Sequence, residues 1–302
     1  MKKYCVIDVG GTNIKYALMD EDANILDKGE VETPRDSLDH FIEAIGLIYD
    51  MYKEDISGIA MSAPGRIDCN TGFMFTGGAL RYIENIPMAE VLHKRCPVDI
   101  SIENDGKCAA LAELWKGSLK NSKHGLVLTL GTGIGGGVIV NGHLLRGQNF
   151  ASGELSSFPT TILPVKDPIN FWANINGTRG LTSVYEERMN LQKDSMNGRL
   201  FFEAVNRNEE IAVNVLEEFA QHFANAIFAI QTVLDTEKVA VGGGISSQDC
   251  LIEALNRKVS DLFDYYGQYT PILKPVVVRC EFANDSNLIG ALYHLLYEKR
   301  QA

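Results

Sequence analysis

Several short segments of this chain hold residue types that can act on an anion or on a hydroxyl. Asp8-Val9-Gly10-Gly11-Thr12 places paired glycines directly after an apolar run. Glycines there let the backbone bend so that several N–H groups point at one anion, with no Cβ blocking its approach. The Thr12 hydroxyl adds a donor, and Asp8 can orient water around Mg2+. A plain hairpin turn would need Gly-Gly as well, so this segment alone leaves both readings open. Gly131-Thr132-Gly133-Ile134-Gly135-Gly136-Gly137 says more. Its five glycines cost about 0.5–1 kcal/mol each in backbone entropy relative to alanine, which a fold tolerates where a ligand must touch the main chain. Gly242-Gly243-Gly244 is a third cluster, suited to a purine ring or its ribose and equally to an ordinary strand-to-helix turn.

Glu103-Asn104-Asp105 offers proton chemistry. Three polar residues crowd a strand end where one helix cap, worth about 1 kcal/mol, would suffice. An Asp at a helix N-terminus is kept ionised by the helix dipole and can take a proton from a hydroxyl. Ser62-Ala63-Pro64-Gly65 lies just beyond another strand end and suits wrapping a neutral polyol, while Glu154 supplies a second carboxylate acceptor. Both segments are also compatible with ordinary loop chemistry.

The elements that must position these groups follow from apolar spacing. Tyr4–Asp8, Ile14–Met19 and Ile25–Val31 read as three strands joined by turns, and Leu38, Phe41, Ile42, Ile45, Ile48 and Met51 predict a helix over 37–53. Strands at 56–60 and 98–102 precede a helix at 105–116. The opening pattern then recurs: strands at 126–130 and 136–140, the hairpin signal Asn141-Gly142, and a strand at 143–146. Two copies of strand, Gly-Thr turn and hairpin suggest an internal duplication. No clear pattern runs from Gly153 to about 209. Helices at 209–233, 248–265 and 286–299 and a strand at 239–241 complete a mixed α/β class. No linker of low complexity divides the chain, which we separate into residues 1–115 plus 286–302 and residues 116–285.

Composition narrows the function. With 45% hydrophobic and 22% charged residues, the chain is ordinary globular material, and no apolar run approaches a membrane span. A net charge of −11 opposes nucleic acid. The N-terminal apolar run stops at Asp8, which does not read as a secretion signal, so a cytoplasmic location is expected. Six scattered cysteines without a CxxC pair, and the lack of a His-x-x-x-His pair, argue against disulfides and zinc. No Gly-x-Ser-x-Gly elbow or Gly-Lys-Ser/Thr phosphate loop occurs, and the second glycine turn leads into a strand where the dinucleotide fingerprint would need a helix.

Taken in order, these segments resemble the ROK family (repressors, open reading frames and sugar kinases), over most of the chain and most weakly over 158–208. Asp8–Thr12 with Lys15 resembles its first phosphate motif, Leu130–Gly137 the second, and Gly242–Gly244 its adenosine turn. Ser62–Gly65, Glu103–Asp105 and Gly153-Glu154 resemble its sugar-contacting motifs, and Gly78 lies in Thr76–Arg81, which is similar to β-glucoside and hexose kinases. The resemblance implies an actin-like ATPase (ribonuclease H-like) fold, two domains around a central cleft, ATP and Mg2+, and a homodimer. It also implies Asp105 as the base toward the 6-hydroxyl of a hexose or β-glucoside. Ser157 stands where relatives carry a histidine that contacts sugar and binds zinc, which places the chain in a branch without zinc and leaves sugar identity open. N-acetylmannosamine kinase activity and a non-catalytic sugar sensor or repressor are the alternatives. Repressors of the family carry a DNA-binding segment ahead of the first strand, and here that strand begins by residue 4.

Overall fold

A computed structural model describes residues 1–160 and 171–299. Part of the weakly patterned 158–208 stretch and the end of the 286–302 stretch therefore lie outside the described residues. The chain forms two compact units: Met1–Trp115 with Arg146–Ser152 and Asn284–Ala302, and Lys116–Leu145 with Gly153–Ala283. The sequence-based division differs from this in leaving 146–152 and 284–285 in the second domain.

The first unit holds β1 (Lys3–Val9), β2 (Asn13–Asp20), β3 (Ile25–Glu32), α1 (Leu38–Tyr52), β4 (Ile56–Ala63), β5 (Ile67–Asp68), β6 (Phe73–Thr76), β7 (Glu84–Ile86), α2 (Met88–Arg95), β8 (Asp99–Asn104) and α3 (Asp105–Trp115). Its main sheet has the order β3-β2-β1-β4-β8, and β5-β6-β7 form a small separate sheet. β1 pairs antiparallel with β2 and parallel with β4, which pairs parallel with β8. A central strand covered on both faces needs the near-continuous apolar run found at Tyr4–Ile7, all at most 1% exposed. Ser37 caps α1, its side chain accepting from the His40 N–H at 3.3 Å, and Phe41, Ile45 and Ile48 on the following turns enter the same core as Ile7 and Ile59.

The second unit repeats the plan. β9 (Gly125–Leu130), β10 (Ile134–Val140) and β11 (His143–Leu144) form the hairpins, and α4 (Trp172–Asn176), α5 (Thr178–Arg188), α6 (Gly198–Asn206) and α7 (Glu210–Leu234) follow. β12 (Lys238–Gly242), α8 (Asp249–Tyr266) and β13 (Val276–Arg279) complete it, before α9 (Ser286–Tyr293) returns to the first unit. The sheet order is β11-β10-β9-β12-β13, the same succession of antiparallel hairpins and parallel additions as in the first sheet. β11 stops at Leu144, two residues short of the expected strand, because Arg146 begins the segment that belongs to the first unit. Helices α5 and α6 occupy a stretch that lacked pattern in sequence. α5 carries Gly180 and three β-branched residues among charged ones, which lowers helix propensity, and its helical state comes from burying Leu181 and Tyr185.

Candidate active site

In the first unit, the parallel strands β1, β4 and β8 end at one sheet edge, where ligand sites of open α/β sheets are found. Register places Asp8 beside Ser62 and Ser62 beside Glu103. Asp8 Oδ1 accepts from Ser62 Oγ at 2.9 Å and from Asn287 Nδ2, on α9, at 3.0 Å. Burial pushes the Asp8 carboxyl above the usual carboxylate range, against the pull of these two hydrogen bonds and of Lys15, its partner across β2. Ser62, expected at the sugar, is fully buried with its hydroxyl engaged by Asp8. In the turn between β1 and β2, Gly11 and Thr12 are exposed, and Arg35 Nη2 donates to Thr12 Oγ1 at 3.2 Å. The Gly10 N–H is taken by Asn13 O at 3.0 Å, so it closes the hairpin.

Geometry at β8 identifies the helix cap. Asn104 Oδ1 accepts from the Lys107 N–H at 3.1 Å, which makes Asn104 the cap of α3. Asp105 is partly exposed at the first helical position. Its Oδ1 accepts from the Gly106 N–H at 2.8 Å and from Asn104 Nδ2 at 2.9 Å. Asn104 Nδ2 also donates to Gly65 O at 3.0 Å, which ties the Pro64-Gly65 loop to the same point. Gly65 has φ +101°, and a Cβ there would lie 2.1 Å from Thr76 O, so only glycine fits. Pro64 in turn packs near Gly78, which is exposed.

Glu103, also expected at the sugar, lies behind Asn104. It is 1% exposed, and both oxygens are engaged: Oε1 accepts from the Asn104 N–H at 2.8 Å and Oε2 from Arg146 Nε at 2.8 Å. Both oxygens are therefore spent on Asn104 and Arg146. Arg146 also pairs with Glu298. Four residues on, Phe150 O accepts from Lys107 Nζ at 3.0 Å. The 146–152 segment is thus pinned on both sides of Asn104-Asp105. Ligand atoms of Cys69, Glu103 and His294 lie within 4.8 Å of one another, all buried. Arg146 already neutralises that carboxylate, and burial pushes the Cys69 thiol up to about 12 and His294 down to about 4, so the group is balanced by its own protein charges.

In the second unit the second and third glycine clusters meet, because β9 and β12 are parallel neighbours. Gly131, Thr132 and Gly244 line a cavity of about 690 Å3, with Thr178, Asn197 and Arg199 among the other lining residues. Nothing stands within 4 Å of the space a Cβ would fill at Gly131 or Gly244, so the backbone is open to close approach by a ligand. That openness and the nearby Arg179 and Arg199 fit a nucleotide's phosphates and sugar. Gly133 lines a different cavity, Gly243 is exposed beside the first, and Gly242 is buried at the strand end beside Cys280. Glu154 is exposed and accepts from Ser156 Oγ.

Sequence reading missed Asn287, Arg35, Arg146, Asn197 and Arg199. All come from distant segments, and none sits in a motif; only Arg146, close upstream of Gly153-Glu154, had a local signal.

The ROK family model matches residues 4–298. The chain is 29% identical over 293 residues to a β-glucoside kinase of Klebsiella pneumoniae, covering 97% of this chain and 95% of that protein. It is 29% identical to a glucokinase of Halalkalibacterium halodurans, covering 95% and 93%. A ROK family protein from Streptococcus pneumoniae TIGR4, solved in complex with sucrose, superposes with a TM-score of 0.88 at 30% identity, over 99% of this chain and all of that one.

Proposed function

The chain belongs to the ROK family, with its actin-like ATPase fold, and is an ATP-dependent sugar kinase, and we propose that its acceptor is the 6-hydroxyl of a hexose or β-glucoside, with Asp105 as the base. The observation that carries this is the division of labour at β8. Asn104 caps the helix, so Asp105 stays at the strand end with Oδ1 fixed by two donors and its carboxylate partly exposed. Glucose and β-glucosides are favoured because relatives of comparable identity are named for them.

In this reading the first unit orients the sugar through Asn104, the Pro64-Gly65 backbone and Gly78, and Glu154 remains a proposed further acceptor. The second unit holds ATP against the backbone of Gly131, Thr132 and Gly244. Thr12 and Lys15, with the Gly11 backbone, add donors and a cation for the phosphates. Phosphoryl transfer needs alignment and charge neutralisation more than covalent help. Asp8, steered by Ser62 and Asn287, is the residue that would hold the water shell of Mg2+, and that ion would supply neutralisation of the phosphate oxygens. Asp105 accepts the hydroxyl proton as the oxygen attacks the γ-phosphorus, and the bond from phosphorus to the β–γ bridging oxygen breaks so that ADP leaves. We further take the protein to act as a cytoplasmic homodimer; among the described residues no helix is long and apolar enough to cross a membrane.

Asp105→Asn tests the assignment. Its amide oxygen can keep both Oδ1 hydrogen bonds, so sugar binding by calorimetry should survive while kcat falls by about 10²–10⁴-fold. A near-normal kcat would overturn it. Assays with glucose, cellobiose and N-acetylmannosamine, read as kcat/KM, decide the sugar; preference for N-acetylmannosamine would refute the favoured one.

A further inference from the structure

A second cavity, of about 660 Å3, lies in the second unit and shares Thr132 and Arg179 with the nucleotide cavity. Its floor is apolar: Leu181, Val215 and Phe219 are each at most 3% exposed. Its exposed rim carries Arg179, Glu218 and His222. Glu218 is already matched by a two-pronged contact from Arg188 at 2.6 and 2.9 Å. Among the described residues the Arg179 guanidinium pairs with Asp194 alone, at 3.4 Å, with both side chains about 60% exposed, a pairing of little worth in water. An apolar floor of this size with one weakly satisfied cation is the chemistry of a site for a small amphipathic anion.

The wall between the two cavities is built to carry a signal. The Thr178 N–H, at the start of α5, donates to Gly131 O at 2.8 Å. A Cβ on Gly177 would lie 2.5 Å from Thr132 O, so the α4–α5 corner rests directly against the phosphate turn. Close-packed contacts of this kind do not deform independently. We propose that this cavity is an effector site for a small anion with an aromatic or branched apolar body, and that its occupancy changes the affinity for nucleotide. The coupling half of this rests on the nucleotide assignment made above; the existence of the site does not. Linkage requires the effect to be reciprocal.

The probe is 1-anilinonaphthalene-8-sulfonate, an aromatic monoanion whose fluorescence rises on entering an apolar site. Ser183→Trp fills the mouth from an exposed position of α5 outside the nucleotide cavity, and Val184→Trp is a second blocking variant should the first be misfolded by circular dichroism. Wild-type protein should bind the probe, and the blocking variant should bind it at least about tenfold more weakly, a difference of about 1.4 kcal/mol. Saturating probe should change the ATP dissociation constant, measured by calorimetry, by at least about fivefold in wild type and not in the variant. Equal probe binding by wild type and a folded variant overturns the site, since the dye then sits elsewhere, the nucleotide cavity included. Loss of probe binding as protein concentration rises also overturns it, by showing a second copy on that face. Probe binding with an unchanged ATP constant overturns the coupling. Failure of wild type to bind ATP overturns the nucleotide assignment and the coupling with it, while the variant comparison still decides the site.

Discussion

Replacing Arg146 by Met removes one half of a charge pair whose other half, Glu103, is 1% exposed, while keeping most of the aliphatic stem that Arg146 packs at 20% exposure. Deleting one partner of a buried ion pair leaves an uncompensated charge and costs about 3–5 kcal/mol. For a chain of this size that is a drop of on the order of 10 °C in Tm. The loss reaches the chemistry as well. Glu103 Oε1 holds the Asn104 N–H, and Asn104 Nδ2 holds both Asp105 and Gly65 O, so a carboxylate that turns toward water releases the loop and Asp105, the proposed base, together. Urea denaturation should show the stability loss, and kcat should fall more than KM rises, with partial recovery in Arg146→Lys. The decisive variant is Arg146→Met combined with Glu103→Gln. Gln keeps an acceptor for the Asn104 N–H and carries no charge, so the double variant should regain about 2 kcal/mol or more over Arg146→Met alone. A loss below about 1 kcal/mol in the single variant, or strict additivity in the cycle, would refute the reasoning.

His294 is 2% exposed with Nδ1 2.6 Å from Ser101 Oγ, and burial pushes it down to about 4. Between that value and its ordinary 6.5 the unfolded chain binds a proton that the folded chain refuses, so stability rises with pH across the window and falls by up to about 3 kcal/mol on acidification to its lower end. His294→Gln should flatten that acid limb of the urea midpoint between pH 4.5 and 7.5; an unchanged slope would exclude His294 as its source. Gly65→Ala forces a Cβ against Thr76 O at a positive φ, so we expect a loss of about 1–3 kcal/mol and a raised sugar KM, checked by thermal melts and steady-state kinetics.

Much of the frame was readable before any coordinates. Apolar runs and the helical period along 38–51 located the strands and α1, because burial on one face imposes a period that survives in a single segment. The Gly-rich turns were legible for a related reason, since a run such as 131–137 is improbable unless backbone must be approached closely. The small β5–β7 sheet, α2 and the helices of 178–206 were not, because they are short and their state is fixed by packing.

By itself the sequence determined the repeated sheet plan, the glycine-rich turns and the strand end that carries Asp105, all local properties of patterned segments. Only the tertiary structure decided which polar residue at that strand end caps the helix, which is buried and which remains at the surface. Asn104, Glu103 and Ser62 differ in role because of partners 39 or more residues away or on a neighbouring strand, Gly65 O, Arg146 and Asp8. A carboxylate's function depends on what faces it, and that is a property of the folded chain that spacing alone does not encode.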